Sequence, residues 1–259
     1  MTSIILAAGQ GTRLRPYTDE IPKCMVPLAG KPLLHHQMET LAACGADANM
    51  VVVGGYRSDK LELRNADLLT NPAYDTTNMV ATLFCARDRM CDGEDLLISY
   101  GDIVFEPRAL QALIDAYGGI RVAADRQWKR LWSTRMDNPL DDAETFRMDE
   151  NGRVIELGKK PEGYETVQAQ YMGLIFVRGD RVADFKRAYD ELDRNGMYDG
   201  KDFDNMYMTS LLQYLIDTGR DVHACLIDSG WLEVDTAEEL EHFESMASNG
   251  TLDDYCRLS

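Results

Sequence analysis

Ile4-Ile5-Leu6-Ala7-Ala8-Gly9-Gln10-Gly11-Thr12-Arg13-Leu14-Arg15-Pro16, followed closely by Pro22-Lys23-Cys24-Met25-Val26-Pro27, is the stretch that decides the fold. An apolar run of strand length ends in a two-glycine turn, and fixed positive charge follows at once. Glycine at such a turn lets the backbone approach a ligand where a Cβ would intervene. Arg13 and Lys23 then oppose the charge of a polyanion. The layout suits a nucleoside triphosphate held while one of its phosphorus atoms is attacked.

Other glycine-loop readings fail on missing residues. A dinucleotide fingerprint needs a third glycine, where Leu14 stands, and an acidic residue about 20 positions further on. The second strand ends instead in Gly54-Gly55, which disfavours a nicotinamide dehydrogenase. A Walker A loop needs Gly-Lys followed by Ser or Thr, and Gly30-Lys31 is followed by Pro32. A turn that merely joins strand to helix would explain Gly9 or Gly11, but not Arg13 and Lys23 beside them.

With 259 residues, 45% of them hydrophobic, the chain can build one large α/β domain. No run approaches the roughly 20 apolar residues of a membrane span. Met1-Thr2-Ser3 carries no basic side chain and the first apolar run breaks at Gly9, unlike a secretory signal. The expectation is a cytoplasmic protein without a membrane partner. Six cysteines show no CxxC pair or metal-ligand spacing and read as reduced thiols. His35-His36 falls in an apolar helical pattern, and His223 and His242 are isolated, which argues against a histidine metal site. A net charge of −17 argues against nucleic acid as partner. Basic residues nonetheless gather at Arg13, Arg15, Lys23 and Lys31, a local site for a small, highly charged anion.

Short apolar runs alternate with amphipathic helical patterns, the signature of a largely parallel sheet. Strands are expected at 3–7, 49–53, 95–99 and 119–123, with helices at 32–44, 77–89 and 107–117. The texture changes after Asp125. Residues 145–149 and 153–157 read as a hairpin, because Asn151-Gly152 supplies the positive φ of a tight turn. Further strands are expected at 169–177, 222–226 and 231–234, and helices at 180–192 and 206–218. A last helix opens at Thr236, with Glu239 three residues on as a capping box. The fold class is therefore α/β: a Rossmann-like, mostly parallel mixed sheet flanked by helices, with an inserted β-rich acceptor-binding half. It forms a single domain, with residues 1–124 the nucleotide-binding half, 125–235 the acceptor half and 236–259 a terminal helix and tail.

Attack on a phosphorus atom, in phosphoryl or nucleotidyl transfer, calls for a divalent metal to neutralise charge growing in the transition state. Mg²⁺ takes a few hard carboxylates and keeps several waters. Tyr100-Gly101-Asp102 follows the strand at 95–99, at the end where open α/β sheets place ligands. Asp235, which ends Trp231-Leu232-Glu233-Val234-Asp235, is the second candidate; its alternative role is a charge at the helix N-terminus beside Thr236.

The two-part pattern L-A-A-G-x-G-T-R-L-R-P with P-K-x-M-V resembles the signature of the sugar-phosphate nucleotidyltransferase superfamily. The resemblance implies that Leu6, Ala7, Ala8, Gly9, Gly11 and Thr12 wrap the nucleotide. It further implies that Arg13 holds the β- and γ-phosphates and Lys23 reaches the transferred α-phosphate. Asp102 and Asp235 stand where that family has its Mg²⁺ pair, so the catalytic set is Lys23, Arg13 and Asp102.

Downstream, Asp75-Thr76-Thr77-Asn78-Met79-Val80, Asn138-Pro139-Leu140-Asp141-Asp142-Ala143-Glu144-Thr145 and Ala169-Gln170-Tyr171-Met172-Gly173-Leu174 narrow the likeness. They are similar to the small cytidylyltransferases that activate phosphocholine, phosphonates or phosphoramidate precursors. That likeness implies CTP as donor, with Tyr56 and Asn78 as candidates near the cytosine and ribose. Trp128, Arg130, Arg135, Lys159, Lys160 and Tyr171 are the acceptor-binding candidates. A phosphocholine pocket calls for aromatic walls with carboxylates, whereas extra cations favour a phosphonate or phosphoramidate precursor. Trp128 and Trp132 also fit a simple i, i+4 packing pair. The alternatives are a sugar-1-phosphate nucleotidyltransferase and a catalytically silent nucleotide-binding regulator. The sequence leaves open whether the chain forms a homodimer.

Overall fold

The computed structural model describes residues 1–258. Its centre is strand β1 (Thr2–Ala7), buried along its whole length. The two-residue strands β2 (Pro27–Leu28) and β3 (Lys31–Pro32) form a tight hairpin that leads into helix α1 (Leu33–Ala43). Then come β4 (Asn49–Gly54), β5 (Ala66–Thr70), α2 (Met79–Phe84), β6 (Leu96–Tyr100), β7 (Ile103–Phe105) and α3 (Pro107–Asp115). The second half opens with β8 (Ile120–Asp125), α4 (Trp128–Arg135) and the hairpin of β9 (Phe146–Met148) and β10 (Val154–Leu157). Next are β11 (Gln170–Val177), α5 (Gly179–Glu191) and a small hairpin of β12 (Met197–Tyr198) and β13 (Lys201–Asp202). The described chain closes with α6 (Met208–Asp217), β14 (Val222–Ile227), β15 (Trp231–Glu233), α7 (Ala237–Asn249) and a final short turn.

Seven strands form one sheet in the order β14-β8-β11-β6-β1-β4-β5. Only β11 runs against its neighbours; every other pair in this sheet is parallel. This is the Rossmann-like mixed sheet read from the sequence, and β8, β11 and β14 of the second half extend it. Alternate side chains of the central strands enter two cores. Ile5, Val52 and Leu97 meet Leu34, Leu110 and Phe243 on one face. Ile4, Val51 and Ile98 meet Leu83, Phe185 and Leu211 on the other. Each such fully buried side chain contributes about 1.5–3 kcal/mol.

Two buried charges on β8 serve the architecture. Arg121 donates to the carbonyls at the end of α3 and lies 4.0 Å above the Phe176 ring. Asp125 accepts from the Gln127 and Ser229 backbone and, at 3.0 Å, from Trp231 Nε1. It thereby fixes the turn that carries the chain from β14 into β15.

The hairpin at Gly152 and the capping box of Thr236 and Glu239 form as the sequence predicts. Helix α2 is shorter than the expected 77–89. Asn78 caps it by accepting from Met79 N at 2.8 Å, while Asn71 holds Thr77 outside the helix. Strands β5 and β7 carry no readable pattern: β5 is a half-exposed edge, and β7 has three residues. No helix among the described residues is long and apolar enough to cross a membrane.

From β1 the sheet grows first to β4 and β5 on one side, then to β6 on the other. The carboxyl ends of β1 and β6 therefore flank a topological switch point, the place where open α/β sheets bind ligands.

Candidate active site

The loop after β1 turns on Gly11, at φ +61°. A Cβ there would also stand 3.0 Å from Lys23 Cβ and from Thr18 Cγ2, so glycine is required twice over. Thr18 Oγ1 donates to the Gly11 carbonyl at 2.8 Å and fastens the loop. Across the switch point, β6 ends at Tyr100, and next comes Gly101, whose missing Cβ leaves room for the Leu6 carbonyl oxygen. Asp102 follows.

Antiparallel pairing of β7 with β15 brings the second aspartate to the first. The register sets Glu233 opposite Ile103, and Val234 N donates to the Asp102 carbonyl at 3.0 Å. Asp235 emerges beside Asp102. Lys23 Nζ lies between them, 2.6 Å from Asp102 Oδ2 and 2.7 Å from Asp235 Oδ1. Arg13, largely exposed, pairs with the other oxygen of Asp235.

Burial by itself would lower the Lys23 pKa, but Asp102, Asp235 and Glu233 together raise it, so the ammonium stays charged. Burial would raise Asp235, and Lys23 and Arg13 reverse that and hold it below the usual carboxylate range. Glu233 is pushed up, first by burial and then by Asp102.

Two cavities meet at this cluster. The first, about 140 Å³, is floored by Leu6, Ala7, Ala8 and Gly9 and walled by Tyr74, Asn78 and Tyr100, with Lys23 and Asp102 at its ionic end. The second, about 250 Å³, shares Met79 and Tyr100 with the first and reaches Arg13 and Asp235. Its walls include Trp132, Tyr171, Tyr207 and Trp231, with carboxylates from Asp142, Glu144 and Glu233.

Among the nucleotide candidates, Gly11 and Thr12 shape the loop without lining the first cavity. Tyr56 lies behind it, donating to the Thr18 and Asp19 carbonyls at 3.0 Å with its ring edge-on to Tyr74. Arg15 faces Asp19, and Lys31 pairs with Glu39, so neither joins the cluster.

Of the acceptor candidates, only Tyr171 lines the second cavity. Trp128 is buried and packs on Trp132 and Tyr164, the packing alternative its spacing allowed. Arg130 stacks on Tyr255, Lys159 pairs with Glu156, and Lys160 donates to the Leu140 and Asp141 carbonyls. Arg135 is buried against Glu239. The second cavity is thus mainly aromatic and acidic, and of the cations expected to meet an acceptor none lines it. Arg130, Lys159 and Lys160 find partners outside it, whereas Arg135 stands behind its wall, 3.8 Å from Asp142 and 3.9 Å from Glu233. Tyr74, Tyr207 and Glu144 were not singled out because isolated aromatic and acidic residues carry no spacing signal, and Trp132 entered only as the i, i+4 partner of Trp128.

Asp102 and Asp235 suit a divalent cation. Their carboxylates converge on one point, now taken by the Lys23 ammonium, and Asp102 Oδ1 is buried without a hydrogen-bond partner. No set of three or more His, Cys, Asp or Glu among the described residues could hold a metal by itself. Two carboxylates with substrate phosphates and water nevertheless complete a magnesium site.

Fold and site define a nucleotidyltransferase. The chain belongs to the family described as MobA-like NTP transferase domain, which matches residues 3–156. It is 44% identical to the CTP:phosphoglutamine cytidylyltransferase of Campylobacter jejuni, over 93% of this chain and 98% of that one. It is 31% identical to the CMP-5'-(3-aminopropyl)phosphonate synthase of Streptomyces rubellomurinus, over 76% of this chain and 32% of that one. Two solved structures share the fold. The CTP:phosphocholine cytidylyltransferase of Streptococcus pneumoniae superposes with a TM-score of 0.69 at 18% identity, covering 95% of this chain and 98% of that one. The inositol-1-phosphate CTP transferase of T. maritima gives 0.68 at 20%, covering 99% and 97%.

Proposed function

We infer that the chain transfers CMP from CTP to a small acceptor that carries a phosphate, phosphoramidate or phosphonate at one end and a cationic nitrogen at the other. The observation that carries this reading is the junction of the two cavities at Lys23, Asp102 and Asp235. CTP occupies the first cavity, with its triphosphate along Gly9 to Arg13. The acceptor occupies the second. An oxygen of the acceptor attacks the α-phosphorus, the bond to the bridging oxygen of the β-phosphate breaks, and pyrophosphate leaves.

A phosphate monoester is mostly dianionic at pH 7, its second pKa being about 6, so the nucleophile needs no general base. The obstacle is repulsion between two anions. Lys23 opposes it at the α-phosphate and Arg13 at the β- and γ-phosphates. When bound between Asp102 and Asp235, Mg²⁺ supplies Lewis-acid charge neutralisation at the phosphates.

Tyr171, Trp132 and Tyr207 with Glu144 and Asp142 suit an ammonium better than a second anion. The acceptors named for the relatives agree with this: phosphoglutamine, aminopropylphosphonate and phosphocholine all contain a nitrogen that is cationic at neutral pH.

A donor and acceptor panel read by pyrophosphate release tests the proposal. CTP with an aminated phosphate, phosphoramidate or phosphonate is expected to give turnover far above CTP with a sugar 1-phosphate. Preferential turnover of UTP or dTTP with glucose 1-phosphate would overturn it. CTP binding without pyrophosphate release from any acceptor would instead indicate a silent regulator.

A further inference from the structure

Arg135 ends α4 with its side chain only 2% exposed. Its guanidinium lies 4.6 Å from the Trp132 ring centre. Nε donates to Glu239 Oε1 at 2.7 Å, and Nη2 forms an ion pair with the same oxygen at 2.6 Å. The opposite oxygen, Glu239 Oε2, accepts from the backbone N–H of Asp235 at 2.9 Å and of Thr236 at 3.1 Å. One carboxylate thus spans from a buried arginine to the backbone of the aspartate that faces Lys23. A capping box needs only the Thr236 half of this arrangement; the bonds to Asp235 N and to Arg135 lie beyond it. Burying an arginine is costly unless it is paired, and this one brings two nitrogens to a single carboxylate oxygen, leaving the other oxygen to the backbone of Asp235 and Thr236.

We propose that Arg135 is a positioning residue, acting through Glu239 to fix the Asp235 carboxylate for the divalent cation that the reaction uses. The inference rests on the reading of Asp235 as a metal ligand. It departs from the expectation that Arg135 contacts the acceptor. The same guanidinium stands 3.8 Å from Asp142 and 3.9 Å from Glu233, so its removal also leaves the acids around Asp235 uncompensated. Groups that orient metal ligands from behind typically matter about 10- to 100-fold in affinity.

The test is Mn²⁺ binding to the full chain with CTP and no acceptor, followed by electron paramagnetic resonance, alongside thermal melting. Arg135→Met and Glu239→Gln are each expected to weaken Mn²⁺ binding by about 10- to 100-fold. The double variant should lose little more than the worse single one, because the pair acts as one unit. Arg135→Lys should recover part of the loss, and it carries the test if the methionine variant does not fold. A lower melting temperature with wild-type Mn²⁺ affinity in both Arg135 variants would reduce Arg135 to a packing role. Asp235→Asn separates the two readings. If it binds Mn²⁺ as wild type does, the metal assignment itself fails. If it loses Mn²⁺ while the Arg135 variants do not, only the positioning role fails.

Discussion

Lys23 Nζ lies 2.6 Å from Asp102 Oδ2, so the ammonium proposed to meet the α-phosphate is held by a carboxylate proposed to bind magnesium. The same ammonium is 2.7 Å from Asp235 Oδ1. A divalent cation held by Asp102 and Asp235 would compete with the lysine for the same oxygens, and on this reading its binding with CTP would free Lys23 for the phosphate.

Lys23→Ala should lower kcat by at least about 10²- to 10³-fold, the usual effect of removing one charge-stabilising donor. It also leaves Asp102, Asp235 and Glu233 facing one another. The fold should survive but lose about 1–3 kcal/mol without divalent cation, and Mg²⁺ should restore more stability to the variant than to wild type. Urea unfolding with and without Mg²⁺ measures this, and a near-normal kcat would remove Lys23 from its assigned role.

Asp102→Asn keeps the size of the side chain and removes its charge. Turnover that depends on Mg²⁺ should disappear at every concentration in a titration, while the chain still melts cooperatively. Activity equal to wild type across that titration would take Asp102 out of the metal site.

The loop from Gly9 to Arg13 and both aspartates stood out because each follows a strand, and Lys23 because it belongs to the contiguous motif at 22–27. What brings the aspartates together was not legible. It depends on pairing between β7 and β15, two three-residue strands distant in sequence. The lining of the second cavity was not legible for a related reason. A surface cation is conspicuous in sequence, but whether it faces a ligand or a neighbouring carboxylate depends on packing. Lys159 and Arg130 turned to local partners. Glu144 and Tyr207, which line the cavity, look like any other residue of their type.

Gly101→Ala tests how closely β1 and β6 must approach. The new Cβ would lie 2.5 Å from the Leu6 carbonyl oxygen, a backbone atom of the central strand. Overpacking of this kind costs about 1–3 kcal/mol, and relief requires moving Asp102 or the floor of the first cavity. Stability and kcat should therefore fall together, measured by denaturant unfolding and steady-state kinetics. A variant with wild-type values for both would show that the approach is looser than the geometry implies.

Glu144 gives the second cavity a pH dependence. Burial first, then Asp142 and Asp199, push its carboxyl from 4.5 up to about 7. Between those values the folded chain holds a proton that the unfolded chain has released, so stability falls as pH rises through the window. Glu144→Gln removes that loss. The variant should match wild type least favourably near pH 4.5, gain on it up to about pH 7, and keep a constant advantage above. Acceptor binding should run the opposite way, since ionised Glu144 attracts the cationic nitrogen. Wild-type KM for the acceptor should fall as pH rises towards 8. In Glu144→Gln it should be about 10-fold or more higher, the worth of a charged hydrogen bond, and should follow only the acceptor's own titration. The KM for CTP should not change. Identical acceptor KM profiles for the two proteins would remove Glu144 from acceptor recognition, whatever the stability curves show.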